Sequence, residues 1–210
     1  MVYSVDTNVV INYLNKTSYD YSRARRKIET NDDLFLSYFV TKETIKVYNR
    51  IVNNCLDNFI SLLRKHGNVN EKLLAAIKDY EENRLFYLKI LENYNNIKEK
   101  DNTKLINSVR DWFLNRSSLF KQLLFSRKII TDASPKHISL FKELYSEYFE
   151  NLLFNDANDK NIICDVFAYA HSKEKKITFY TFDKFFYHDF KKVKLPPLHS
   201  GSEHVEFVVL

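Results

Sequence analysis

Two glycines and three prolines are all the punctuation that 210 residues contain, and this scarcity limits the fold before any motif is read. Tight β-turns draw heavily on glycine and proline, so a sandwich built from many short hairpins is poorly supplied. All three prolines, Pro135, Pro196 and Pro197, lie in the second half, and Gly67 is the one breaker in the long middle. Helix is the default there.

The apolar spacing agrees. From about residue 45 to residue 153 it is helical throughout. Leu73, Ile77, Tyr80, Tyr87, Leu91 and Tyr94 follow steps of four and three, apart from a charged interruption at Arg84. Leu105, Val109, Trp112, Leu119 and Leu123 repeat the pattern after the polar break at 98–103. Two such helices joined by a short polar turn predict an antiparallel hairpin. Ser134 and Pro135 then start another helix, with serine as the cap and proline in the first helical position. The aromatic residues in these stripes read as core and not as base-stacking platforms.

Both ends of the chain behave differently. Residues 2–5 form an apolar strand, and residues 12–28 a mostly polar helix whose Arg23, Arg25, Arg26 and Lys27 run is a solvated face. Residues 34–39 read as a second strand, after which Thr41 is placed to cap a helix with Glu43 in its first turn. Beyond the middle come a polar loop at 155–161, a helix at 162–171, a 173–176 turn, a strand ending at Asp183 and a terminal strand at 204–210. Strand–helix alternation at both ends predicts an α/β domain made of residues 1–50 and 155–210, with residues 51–154 inserted as helices.

Lysine and arginine exceed aspartate and glutamate by 32 to 27, a formal charge of +5 that is compatible with a nucleic-acid partner. Cys55 and Cys164 show no pairing pattern and read as reduced, buried side chains of a cytoplasmic protein. No charged-then-apolar leader opens the sequence, and no run approaches the roughly 18 apolar residues of a membrane span.

The chemistry lies in where the acids fall. The first strand ends on Asp6-Thr7-Asn8, and the late strand runs through Thr181 to Asp183. A carboxylate at the carboxyl end of a buried strand sits where open α/β sheets place their ligands. Glu43, Asp159 and Asp165 also stand on or beside element boundaries. Each acid alone has an ordinary structural role: Asp6 as a helix cap, Glu43 as a first-turn acid, Asp159 as part of a cap begun at Asp156, Asp183 as a turn residue. Together they form an oxygen-only donor set, with no cysteine–histidine cluster, that suits Mg²⁺ or Mn²⁺ and not zinc. Clustered carboxylates repel one another unless a cation neutralises them.

The stretch around Asp6-Thr7-Asn8 resembles the opening motif of PIN-domain nucleases, and Thr181-Phe182-Asp183-Lys184 resembles their late T-x-D motif. The segment from Leu36 to Glu43 is similar to the family's strand-then-helix unit bearing a glutamate. The segment from Asn158 through Asp165 resembles its acidic helix. The match covers the two ends of the chain and leaves the middle without a counterpart.

The resemblance implies a PIN-like α/β/α sandwich with a mainly parallel sheet, and Mg- or Mn-dependent cleavage of single-stranded or structured RNA. Asp6, Glu43 and Asp183 would be metal-site carboxylates, oriented by Asn8 and Thr181. The helical acid is open between Asp159 and Asp165. Six residues of helix leave them about 120° apart and about 9 Å along the axis, so they do not serve one ion equally. Lys184 and the 173–176 turn are candidates for steering the RNA backbone. The enzyme is toxin-like or an RNA-processing nuclease, and the insertion is assigned to a homodimer or a protein partner. The competing expectation is a PIN-like scaffold that binds RNA or protein through its insertion.

Overall fold

The computed structural model describes residues 2–15, 18–30, 34–66, 84–96, 130–131, 156–192 and 205–210, with isolated positions between 75 and 150. Five strands, β1 (Val2–Val5), β2 (Leu34–Leu36), β3 (Ile130–Thr131), β4 (Ile177–Thr181) and β5 (Val205–Val209), form one sheet in the order β3-β2-β1-β4-β5. Every pairing among the described residues is parallel. The helices described over their length are α1 (Thr7–Leu14), α2 (Tyr21–Glu29), α3 (Tyr38–His66), α4 (Arg84–Asn96), α5 (Ala157–Lys173) and α6 (Lys184–Lys191). The chain winds outward from β1 in one direction to β3, then crosses back to β4 and winds outward in the other. The strand order therefore reverses between β1 and β4.

A parallel sheet of this kind must be covered on both faces, and its central strands are accordingly mostly apolar and buried. Register places Phe35, Ser4, Phe179 and Phe207 in one row across the sheet. Phe35 stacks on Tyr169 of α5 at 4.1 Å, Phe179 meets Phe186 of α6 edge-on at 5.6 Å, and Phe207 stacks on Phe190 at 3.8 Å. The opposite face carries Tyr3 against Tyr180, with the ammonium of Lys27 from α2 lying 4.3 Å from the Tyr180 ring centroid. Two helical layers thus enclose the sheet. Arg23, Arg25 and Arg26 stay exposed on α2, as expected for a solvated face.

A second apolar cluster joins Tyr48, Cys55 and Phe59 of α3 to Tyr87, Ile90 and Tyr94 of α4. Ile11 and Leu14 of α1 pack against it, so α1 bridges the two cores. The Tyr87, Leu91 and Tyr94 stripe is therefore buried against α3. The expected partner arm at 105–123 and the proline-started helix are described only at isolated positions. Both cysteines are buried and free, and burial pushes the Cys55 thiol up to about 11 and that of Cys164 up to about 12. No helix among the described residues is long and apolar enough to cross a membrane.

Several boundaries move from their expected places, each for a local reason. The expected helix at 12–28 is two helices: α1 stops at Leu14, Asn15 turns extended, and α2 starts only at Tyr21. The strand expected to reach residue 39 ends at Leu36, because Ser37 turns the chain. Its hydroxyl accepts the Phe39 N–H at 3.1 Å, so Ser37 starts α3 in place of Thr41, and Glu43 falls in the second turn. The late helix opens at Ala157, where Asp156 accepts the Asn158 N–H at 2.8 Å, well before residue 162. The 173–176 turn begins at Glu174, whose left-handed backbone (φ 50°) ends α5. Residues 130–131, within the span expected to be helical, pair with β2 as a short edge strand. Helix α3 runs unbroken through residues 50 and 51.

Candidate functional site

Open parallel sheets leave a crevice at the carboxyl ends of the strands where the strand order reverses, because the connecting loops there diverge to opposite faces. In this fold that crevice lies between β1 and β4. Asp6 follows the last residue of β1, and Thr181 closes β4.

The two strand ends are joined by side chains. Thr181 donates its hydroxyl to Asp6 Oδ2 at 2.9 Å and accepts the Asp183 N–H at 2.9 Å. Asn8 donates from Nδ2 to Asp6 Oδ2 at 2.7 Å and to Thr181 Oγ1 at 3.3 Å. Its Oδ1 accepts the Phe182 N–H at 3.1 Å, which fixes the orientation of the amide. The other Asp6 oxygen accepts the Thr7 N–H at 2.6 Å at the start of α1. Asp6 is thus both a helix cap and the hub of the crevice.

Asp183 also has two roles. Its Oδ1 caps α6 by accepting the N–H groups of Phe185 at 2.7 Å and Phe186 at 3.1 Å. Glu43 reaches the same place from α3, where Thr7 donates its hydroxyl to Glu43 Oε2 at 2.8 Å. Thr7 is the contributor that sequence reasoning passed over. The signal available was a hydroxyl at the first helical position between two site residues.

Electrostatics ties the acids together. Burial pushes the Asp6 carboxyl up to about 6, against the hydrogen bonds from Thr181 and Thr7, and Glu43 and Asp183 raise it further. Asp159, in the first turn of α5, is pushed up to about 8 by burial and then by Asp6, Asp156, Asp183 and Glu43. These acids therefore feel one another across the crevice. Coulomb coupling reaches further than ligation, and among the described residues no three acidic, histidine or cysteine side chains converge as a ready metal cage.

Asp165 is placed elsewhere. It is fully buried, accepts the Ser37 hydroxyl at 2.6 Å and is ion-paired with Lys142. The six-residue step along α5 separates it from Asp159, so the two acids serve different surroundings. Lys184 stands exposed beside Asp183 at the start of α6. The 173–176 turn lies at the amino end of β4, about 17 Å of strand away from the crevice.

Over the described residues, the fold and crevice define an all-parallel, doubly wound α/β protein with acids gathered at its switch point. No protein-family model, curated protein or solved structure matches the chain.

Proposed function

We propose that this chain is a PIN-like, metal-dependent endoribonuclease that hydrolyses phosphodiester bonds of single-stranded RNA. The reading is carried by the meeting of Asp6 with Thr181 at the β1–β4 switch point, where Glu43, Asp159 and Asp183 are also coupled to Asp6. The donor set is oxygen only, and burial together with mutual repulsion raises two of its members. That is the environment a hard divalent cation relieves.

Asp6, Glu43, Asp159 and Asp183 are the residues that would hold Mg²⁺ or Mn²⁺. When bound, such an ion supplies neutralisation of the phosphate charge and a lowered pKa for a water. The chain's own contribution is orientation. A carboxylate has about four lone-pair positions, and Asp6 spends three on Thr7, Asn8 and Thr181, leaving one on Oδ1. Thr7 holds Glu43 in the same way through one oxygen. In the hydrolysis, a water oxygen bonds to phosphorus in line with the departing ribose oxygen as that P–O bond breaks. The water's proton passes to solvent, and the departing oxygen takes one back.

The test is incubation of purified protein with single-stranded RNA and Mn²⁺, comparing wild type with Asp6→Asn. Loss of cleavage in the variant supports the enzyme. Equal residual cleavage in both overturns it and leaves an RNA- or protein-binding scaffold.

A further inference from the structure

Helix α3 carries more than Glu43. Phe39, Lys42, Lys46, Val47 and Arg50 recur with Glu43 at helical spacing on one face, and this face lines a groove of about 470 Å³. The opposite wall is the start of α5, Asp156 and Asn158. Lys42, Lys46 and Arg50 are each four residues apart, so they rise in steps of about 6 Å along one edge. All three are exposed, and no ion pair among the described residues neutralises them. The one acid opposite, Asp156, is already engaged in capping α5.

We infer that this groove is the seat of a single-stranded nucleic-acid backbone, with Lys42, Lys46 and Arg50 as a phosphate rail that leads the strand to the acids at Glu43. The inference rests on the ribonuclease reading for its direction, because Glu43 belongs both to the groove and to the crevice.

Four observations carry it. The cations form a linear, regularly spaced row, which suits the repeating charge of a polyanion and not a single small anion. The row ends at the carboxylate set, so a strand bound along it passes its phosphates over that set. The volume falls in the range of clefts that admit a small ligand, room for part of one strand. An aromatic pair stands at the acidic end. Tyr38 packs edge-on against Phe39 at 5.7 Å, lies 5.9 Å from the Lys42 ammonium and is 51% exposed, so its ring stands beside the rail within reach of a base. Lysine and arginine rails interleaved with aromatic rings are how sequence-tolerant single-strand sites are built.

The test separates binding from cleavage. Binding of a fluorescein-labelled oligouridylate is measured in EDTA, where metal-dependent hydrolysis is silent, for wild type, Lys46→Ala/Arg50→Ala and Lys46→Arg. The double variant should bind roughly tenfold more weakly, with its salt dependence flattened by a slope of about 1 to 1.5. Lys46→Arg should keep wild-type binding. Alanine at Lys173 and Lys175, exposed cations far from the groove, should change little. Unchanged melting of the double variant shows that the fold is intact. Equal binding by wild type and the double variant overturns the rail whether or not the protein cleaves RNA. Duplex RNA bound as tightly as the single strand overturns the single-strand assignment. Loss of binding in the double variant, with no cleavage by wild type, upholds the rail and sinks the nuclease reading alone.

Discussion

Asp6 and Thr181 lie 175 positions apart in the chain, and the Thr181 hydroxyl meets Asp6 Oδ2 at 2.9 Å in the interior. This contact closes the crevice end of β1 onto that of β4, and Asn8 bonds to both partners. Three donors on one carboxylate keep Asp6 in a single orientation despite the cost of burying it.

Thr181→Val keeps the shape and removes the hydroxyl that donates to Asp6 and accepts from Asp183. Both groups lose a partner inside the protein, so stability should fall by about 1–3 kcal/mol. Urea unfolding of wild type and variant measures it. A change below about 0.5 kcal/mol would show that the contact does not hold the strand ends together.

Acid titration gives a second expectation. The carboxyls of Asp6 and Asp159 rise from 3.8 to about 6 and about 8, so between pH 4 and 8 the folded protein holds protons that the unfolded chain has released. Stability from these groups is therefore present at the acid end of that window and lost as pH rises through it. Asp159→Asn should flatten the fall between pH 6 and 8, read from melting temperatures across the range. Mn²⁺ should raise the wild-type melting temperature most at pH 8, and its removal with EDTA should reverse the gain.

Asp165 should part from Asp159 in its behaviour. Asp165→Ala removes the acceptor of the Ser37 hydroxyl and the ion-pair partner of Lys142, costing about 2–4 kcal/mol. Lys142 is 30% exposed, which moderates the loss. The Mn²⁺-dependent gain in melting temperature should survive in this variant and shrink in Asp159→Asn. Loss of the gain in Asp165→Ala would place that acid in the metal set after all.

The junction of α3 and α4 offers a packing test. Phe59 and Tyr87 are fully buried in the second cluster, so Phe59→Ala should cost about 3–5 kcal/mol. Loss of a single cooperative unfolding transition in that variant, monitored by two probes, would show the second cluster melting apart from the sheet.

Glu174 adopts φ 50° at the end of α5, where a side chain crowds its own backbone. Glu174→Gly should stabilise by about 0.5–1 kcal/mol in thermal unfolding, since glycine reaches this region freely. A loss of stability would mean that the glutamate side chain makes a compensating contact.

What the amino-acid sequence alone determined was local. The apolar runs of β1 and β4, the helical period of residues 45–66 and 84–96, and the capping character of Asp6 and Asp156 are properties of neighbouring residues, and each was legible in the chain. Element ends were less so, because Ser37 and Thr41 are equally able caps and only the sheet's need to turn at Leu36 chooses between them. The same limit applied to the acids. Asp159 and Asp165 stand on one helix with matching credentials, and only the rotation of α5 against the sheet sends the first toward Asp6 and the second toward Ser37 and Lys142. Tertiary structure alone decided the meeting of Asp6 with Thr181, the reach of Thr7 to Glu43, and the groove beside Lys42, Lys46 and Arg50. The physical reason is common to all three. They depend on strand order and helix phase, which are set by burying two faces of a sheet at once and not by any stretch of neighbouring residues.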